Sequence, residues 1–158
     1  MFTTTRVLLL VAALISATIS CKDIEAKPTT DVPAEQRAIQ QLLDAYGAAL
    51  NGSDAARITS LFAQDGVFSA PGNPTATGQA QIRAAFDGLF GAVGLKLQFT
   101  PAQIVVVNDN YAYATSTSSG TLTVKANGQS APNAYRELWV FVRENNQWKI
   151  ARYLFNQP

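Results

Sequence analysis

After Gly94 the spacing of the apolar residues changes from helical to strictly alternating, and this switch limits the possible folds most. Ahead of it, Ile39, Leu42, Leu43, Tyr46 and Leu50 form one stripe of a helix from about Pro33 to Leu50. Asp31 is placed to cap that helix, Pro33 suits its first turn, and Asn51-Gly52 ends it. Ser53 is placed to cap a short second helix carrying Ile58, Leu61 and Phe62. A short strand over Val67–Ala70 turns at Pro71-Gly72. A third helix starts near Thr77, buries Ile82, Phe86, Leu89 and Phe90, and stops at Gly91 and Gly94. Past the switch, Leu95, Leu97 and Phe99 alternate with polar residues, and Pro101 marks a bulge or bend. Turn signals at 108–110 and at Asn127-Gly128 bracket a long Thr/Ser-rich strand, Tyr111 to Val124. One of its faces is small: Ala112, Ala114, Ser116, Ser118 and Gly120 leave room for a helix or for a cavity. Tyr135–Arg143 and Trp148–Phe155 make the last hairpin. Three helices followed by long strands predict an α+β domain over residues 33–158, with helices packed on one face of a mostly antiparallel sheet.

The last hairpin constrains the two faces. With Glu144 opposite Gln147, Val142 faces Lys149, Val140 faces Ala151, Leu138 faces Tyr153 and Arg136 faces Phe155. That face is expected to line the interior. The other face then carries Trp139, Phe141, Trp148, Ile150, Arg152 and Leu154, with Glu137 pointing away from the interior. Both faces are apolar, and a large exposed apolar patch is unusual on a soluble monomer. The second face is therefore expected to be a homodimer interface, with Arg152 stacked on Trp139 and paired with Glu137. A one-residue slip in register would exchange the faces, and the sequence does not exclude it.

The start of the chain reads as an address. Arg6 precedes a short apolar run, Val7–Ile15, and small residues lead to Cys21, the only cysteine. Residues 1–20 are expected to be a signal peptide and 21–32 a tether. The stretch "ATISC" resembles a bacterial lipobox, although Thr18 stands where leucine is commonest. It implies a lipid on Cys21 and an exported, membrane-anchored protein, at the cell surface or in the periplasm. Ordinary cleavage nearby, leaving Cys21 a free thiol, is the alternative.

With 47% apolar and 15% charged residues, a long disordered charged region is not expected. Net charge is +1 and the basic residues do not cluster, so no nucleic-acid partner is expected. There is no histidine, which excludes a histidine base and any histidine-held metal in this chain. One cysteine permits neither an internal disulfide nor a thiolate zinc site.

Residues 46–73, "YGAALNGSDAARITSLFAQDGVFSAPGN", and the end, "YRELWVFVRENNQWKIARYLFNQP", resemble the nuclear transport factor 2-like superfamily. That superfamily includes ketosteroid isomerase and the SnoaL-like polyketide cyclases. The resemblance implies a cone-shaped curved sheet wrapped around three N-terminal helices, an apolar pocket, and often a dimer through the outer sheet face. In ketosteroid isomerase a helix-one tyrosine donates to the substrate oxygen, and it falls on Tyr46. The isomerase's base falls on Ala70, and its second donor, a protonated aspartate, falls near Leu138. Two of three groups are missing, so that chemistry is not implied.

The expected function is binding of a small, mostly apolar molecule in the cone, with no catalytic base. Tyr46, Tyr153 and Arg136 are the candidate polar contacts, and Phe68, Phe86, Leu138 and Ala151 the candidate lining. No flavin or nicotinamide motif is present and no cofactor or metal is expected. One alternative is a lyase or isomerase using Tyr46 with Asp65 or Glu137. Another is an assembly module that binds a protein through its outer sheet face.

Overall fold

The computed structural model describes residues 30–158; the expected signal peptide, Cys21 and most of the expected tether lie outside them. The Asp31 side chain accepts from the Ala34 N–H at 3.0 Å and starts α1 (Val32–Asn51). Asp54, rather than Ser53, caps α2 (Ala55–Leu61), accepting from Arg57 N–H at 2.8 Å. Ser53 instead takes a left-handed φ of 57° in the link between the helices. β1 (Phe62–Ser69) and the two-residue β2 (Ala76–Thr77) lead into α3 (Gly78–Ala92). Then come β3 (Val93–Asn108), β4 (Tyr111–Val124), β5 (Ser130–Glu144) and β6 (Gln147–Asn156).

The six strands form one sheet in the order β2-β1-β6-β5-β4-β3. Only β1 and β6 run parallel; every other neighbouring pair is antiparallel. The open, curled sheet wraps its inner face around the helices, as expected. α1 comes close enough to β3 that a Cβ on Gly47 would sit 3.2 Å from the Phe99 ring. On β4, a Cβ at Gly120 would fall 1.9 Å from the Lys96 carbonyl oxygen, so only glycine fits there.

β3 is an edge strand, and its free margin is closed in three ways. The Asn51 side chain accepts from Leu97 N–H at 2.8 Å and donates to Leu97 C=O at 2.7 Å. Gln36 donates to Ile104 C=O at 2.9 Å. Between them Pro101 offers no N–H, and the β3–β4 register shifts between Pro101 and Gln103. The expected bulge is there.

The hairpin register agrees with expectation only near its turn. Glu144 pairs with Gln147 and Val142 with Lys149. Phe141 then pairs with Ile150 but Val140 with Arg152, so Ala151 is an extra residue in β6. From there every expected pair slips by one: Leu138 meets Leu154, Trp139 meets Tyr153, and Arg136 meets Asn156. Trp139, Phe141 and Ile150 are fully buried inside the cone and Trp148 nearly so. They are core, not an interface. Leu138 (37% exposed), Leu154 (45% exposed) and Arg152 lie on the outer face.

The end of the cone near the hairpin turns is tied to α1. Arg143 pairs with Glu35, lies 4.5 Å over the Trp148 ring and donates to the Asp109 carbonyl at 2.8 Å. Trp148 Nε1 donates to Glu35 at 2.6 Å. The stacked, paired arginine expected at position 152 is thus Arg143. Arg152 instead reaches Asp65, donating to its carbonyl at 3.2 Å.

Asn51→Ala should lower stability by roughly 1–3 kcal/mol, because two edge hydrogen bonds are lost and the Leu97 groups are left without side-chain partners. Urea unfolding would read this as a lower midpoint at unchanged slope; an unchanged midpoint would show that the margin needs no side-chain cover.

Candidate functional site

The interior of the cone has two levels. At the wide end, between α3, the turn after β1 and the far ends of β5 and β6, is a cavity of about 830 Å³. Phe68, Leu89, Tyr135 and Phe155 supply its apolar walls, and Gln81 and Gln157 lie at its edge. No Asp, Glu, Lys or Arg lines it. A shallower concavity of about 480 Å³ lies between the first turns of α1 and the Pro101 bulge, where the Gln36 amide is already engaged by Ile104.

Below the cavity the cone is filled with rings. Phe68 stacks on Phe86 at 4.7 Å and on Tyr153 at 5.6 Å. Tyr153 lies flat on Trp139, with centroids 3.6 Å apart and planes 5° apart. Tyr46 meets Trp139, Tyr153 and Phe99 edge-on at 5.0, 5.4 and 5.7 Å. These pairings fix the rings as one block.

A polar centre sits within this block. On β5, Glu137 shares the inward face of Trp139 and Phe141 and is only 4% exposed. Ser118 Oγ donates to one of its carboxyl oxygens at 2.6 Å, and Ser116 Oγ donates to the other. Ser116 also accepts from Trp139 Nε1 at 2.8 Å. The Tyr46 and Tyr153 rings meet within this centre, and their hydroxyls interact. Burial pushes both phenols well above the usual tyrosine range, and the nearby Glu137 charge adds to this. Both are therefore neutral at every physiological pH. Burial likewise raises Glu137 above the ordinary glutamate range, opposed by the serine hydrogen bonds. No buried side-chain nitrogen or oxygen among the described residues lacks a partner.

The expected site residues are therefore divided. Phe68 lines the cavity. Tyr46, Phe86 and Tyr153 are in the ring block below it. Ala151 is buried at the bulge, Leu138 is on the outer face, and Arg136 is exposed, its guanidinium 3.5 Å from the Gln157 carbonyl. Asp65 is on the surface, within 3.7 Å of Arg152, so it offers no carboxylate to the interior. The expectation that Glu137 points away is overturned, and with it the expectation that the cone holds no acid. Tyr135 and Gln81 were not foreseen at the cavity. The serines on the small face of β4 were the visible trace of the polar centre, since two hydroxyls at i and i+2 fall on one face. No group of three or more His, Cys, Asp or Glu among the described residues could hold a metal ion.

A curled, mostly antiparallel sheet closed over three helices, with a ring-lined interior, defines a SnoaL-like domain. The chain belongs to that family, whose model matches residues 33–153. A ketosteroid isomerase-like protein from Erwinia carotovora atroseptica is similar at 29% identity and TM-score 0.75, over 78% of this chain and 95% of that one. A conserved protein from Planctomyces limnophilus shares 24% identity at TM-score 0.70, covering 80% and 99% of the two chains. A nuclear-transport-factor-2-like protein with a cystatin-like fold, from Novosphingobium aromaticivorans, shares 21% at TM-score 0.62, over 79% and 82%. The last two likenesses concern the fold. No curated protein matches the chain.

The Glu137 shift has a direction that can be measured. The folded state holds this proton more tightly than the unfolded chain does. Its contribution is therefore complete below the ordinary glutamate range and is lost as pH rises through the raised value. Glu137→Gln keeps a donor and an acceptor for the two serines but does not titrate. Its melting temperature relative to wild type should rise as pH increases above the ordinary glutamate range, and parallel melting profiles would contradict this. Glu137→Ala leaves the Ser116 and Ser118 hydroxyls without their acceptor and should cost roughly 1–3 kcal/mol at pH 4.

Proposed function

We propose that this SnoaL-like domain binds a small, neutral, mostly apolar molecule in the cavity at the wide end of the cone. The observation that carries the reading is the absence of any charged side chain from the lining of an 830 Å³ cavity. That volume is in the range of small-molecule sites, whose walls are mostly apolar with a few polar groups. A charged ligand would lose its hydration there and find no counter-ion. Glu137 is a structural acid in this reading, separated from the ligand by Phe68, Tyr153 and Phe155. Naphthalene binding measured by calorimetry tests it. Ala85→Trp, on the half-buried α3 wall of the cavity, should abolish the heat while leaving the far-ultraviolet circular dichroism unchanged. Equal binding by wild type and Ala85→Trp would place the ligand elsewhere.

A second reading, a lyase or isomerase using Tyr46 with Glu137, is favoured by one observation: a buried acid beside two neutral phenols. Likeness to a ketosteroid isomerase-like protein points the same way. Substrate would have to displace Phe68 or Phe155 to reach Glu137. Deuterium exchange at the acetyl carbon of 2-acetylnaphthalene separates the readings. Exchange above background that is lost in both Tyr46→Phe and Glu137→Gln supports turnover, and background exchange supports binding alone.

For the partner we propose a second copy of this chain on the outer sheet face, where Tyr111, Tyr113, Leu138 and Leu154 are exposed. Leu138→Lys should convert a dimer to a monomer in sedimentation; a wild-type monomer would end this proposal.

A further inference from the structure

The geometry points to Tyr135, held by Asn133, as the polar anchor of the wide-end cavity, so that the ligand presents an uncharged hydrogen-bond acceptor to a phenol. The inference rests on the reading of the cavity as a ligand site and goes beyond it by naming what the site recognises. Tyr135 lines the cavity from β5 and is half-buried. Its ring is fixed edge-on to Phe155, centroids 4.7 Å apart at 73°. Its oxygen accepts from Asn133 Nδ2 at 2.6 Å. A phenol has one O–H, and because the oxygen here accepts from Asn133, that O–H is not spent on Asn133 and can be given to a ligand. A short, oriented bond from Asn133 also limits rotation of the hydroxyl, which lowers the ordering cost when a ligand arrives.

A second group agrees in sign. Gln81, on α3, lines the same cavity, and its Oε1 accepts from Thr77 N–H at 2.9 Å. That bond fixes the amide and leaves its NH2 as the free end. Asn73, also on the lining, donates to the Pro71 carbonyl at 3.0 Å. The cavity therefore offers neutral donors from both the sheet and a helix, on apolar walls with no formal charge. This arrangement discriminates by hydrogen-bond polarity. An isostere without an acceptor leaves a positioned donor unpaired, and a carboxylate meets dipoles but no cation.

The test uses 2-naphthonitrile, 2-ethynylnaphthalene and 2-naphthoate as probes of wild type, Tyr135→Phe and Ala85→Trp, with affinities from calorimetry. Nitrile and alkyne have the same shape, and only the nitrile accepts. Wild type should bind the nitrile roughly three- to tenfold more tightly than the alkyne, and the naphthoate most weakly. Tyr135→Phe, which keeps the ring on Phe155, should equalise nitrile and alkyne by weakening the nitrile alone. An unchanged nitrile preference in Tyr135→Phe, or equal weakening of both probes, overturns the anchor. Alkyne binding that Ala85→Trp still abolishes would then leave the cavity reading standing. Absence of binding by either neutral probe, or indifference to Ala85→Trp, removes the cavity reading and the anchor with it.

Discussion

Ala151 is the residue on which the interior depends. As an extra residue in β6, it turns the strand by one position between Ile150 and Tyr153. Without it, Ile150 and Tyr153 could not both face inward, since alternate residues of a strand face opposite ways. With it, Trp148, Ile150, Tyr153 and Phe155 all face inward, and β5 supplies Glu137, Trp139 and Phe141 in phase with them. Each large apolar side chain so buried contributes roughly 1.5–3 kcal/mol, which outweighs a locally interrupted ladder. The bulge also carries the Trp139–Tyr153 stack, the closest ring pair in the cone.

The inward face of β5 also brings a carboxyl into the block. A buried acid is tolerated where its oxygens are met by donors and its proton can be kept. Ser116 and Ser118 meet Glu137, Trp139 meets Ser116, and burial favours the protonated form. Polar and apolar functions are thereby stacked along the cone. Rings separate a satisfied polar centre from an uncharged cavity, so the acid does not set the charge of that cavity.

The fold was readable because period and punctuation agree with one another. The stripe of α1, the switch after Gly94, the Pro101 bulge and the Asn127-Gly128 turn all needed only local rules. The site was less so. In the last hairpin both parities are apolar, Trp139 and Phe141 on one and Leu138 and Val140 on the other, so hydrophobicity could not choose a face. Beyond Ile150 the faces of β6 are exchanged by an alanine, which looks the same in a bulge as in a ladder. Tyr135 and Asn133 lie outside the apolar run and read as strand entry; their pairing exists only because β5 begins earlier, at Ser130. Ser116 and Ser118 signalled space but not the acid that fills it.

The Glu35–Arg143–Trp148 cluster has a mechanical consequence. It lies beside the hairpin turns, whereas Tyr135 and Phe155 stand at the far ends of the same strands. From Arg143 to Tyr135 is eight residues of strand, roughly 26 Å. A tug on the backbone at Thr30 meets an ion pair, a cation resting on an indole and a shared carboxylate before any strain travels that distance. The opening of the cone is thus cushioned from whatever pulls on the amino end.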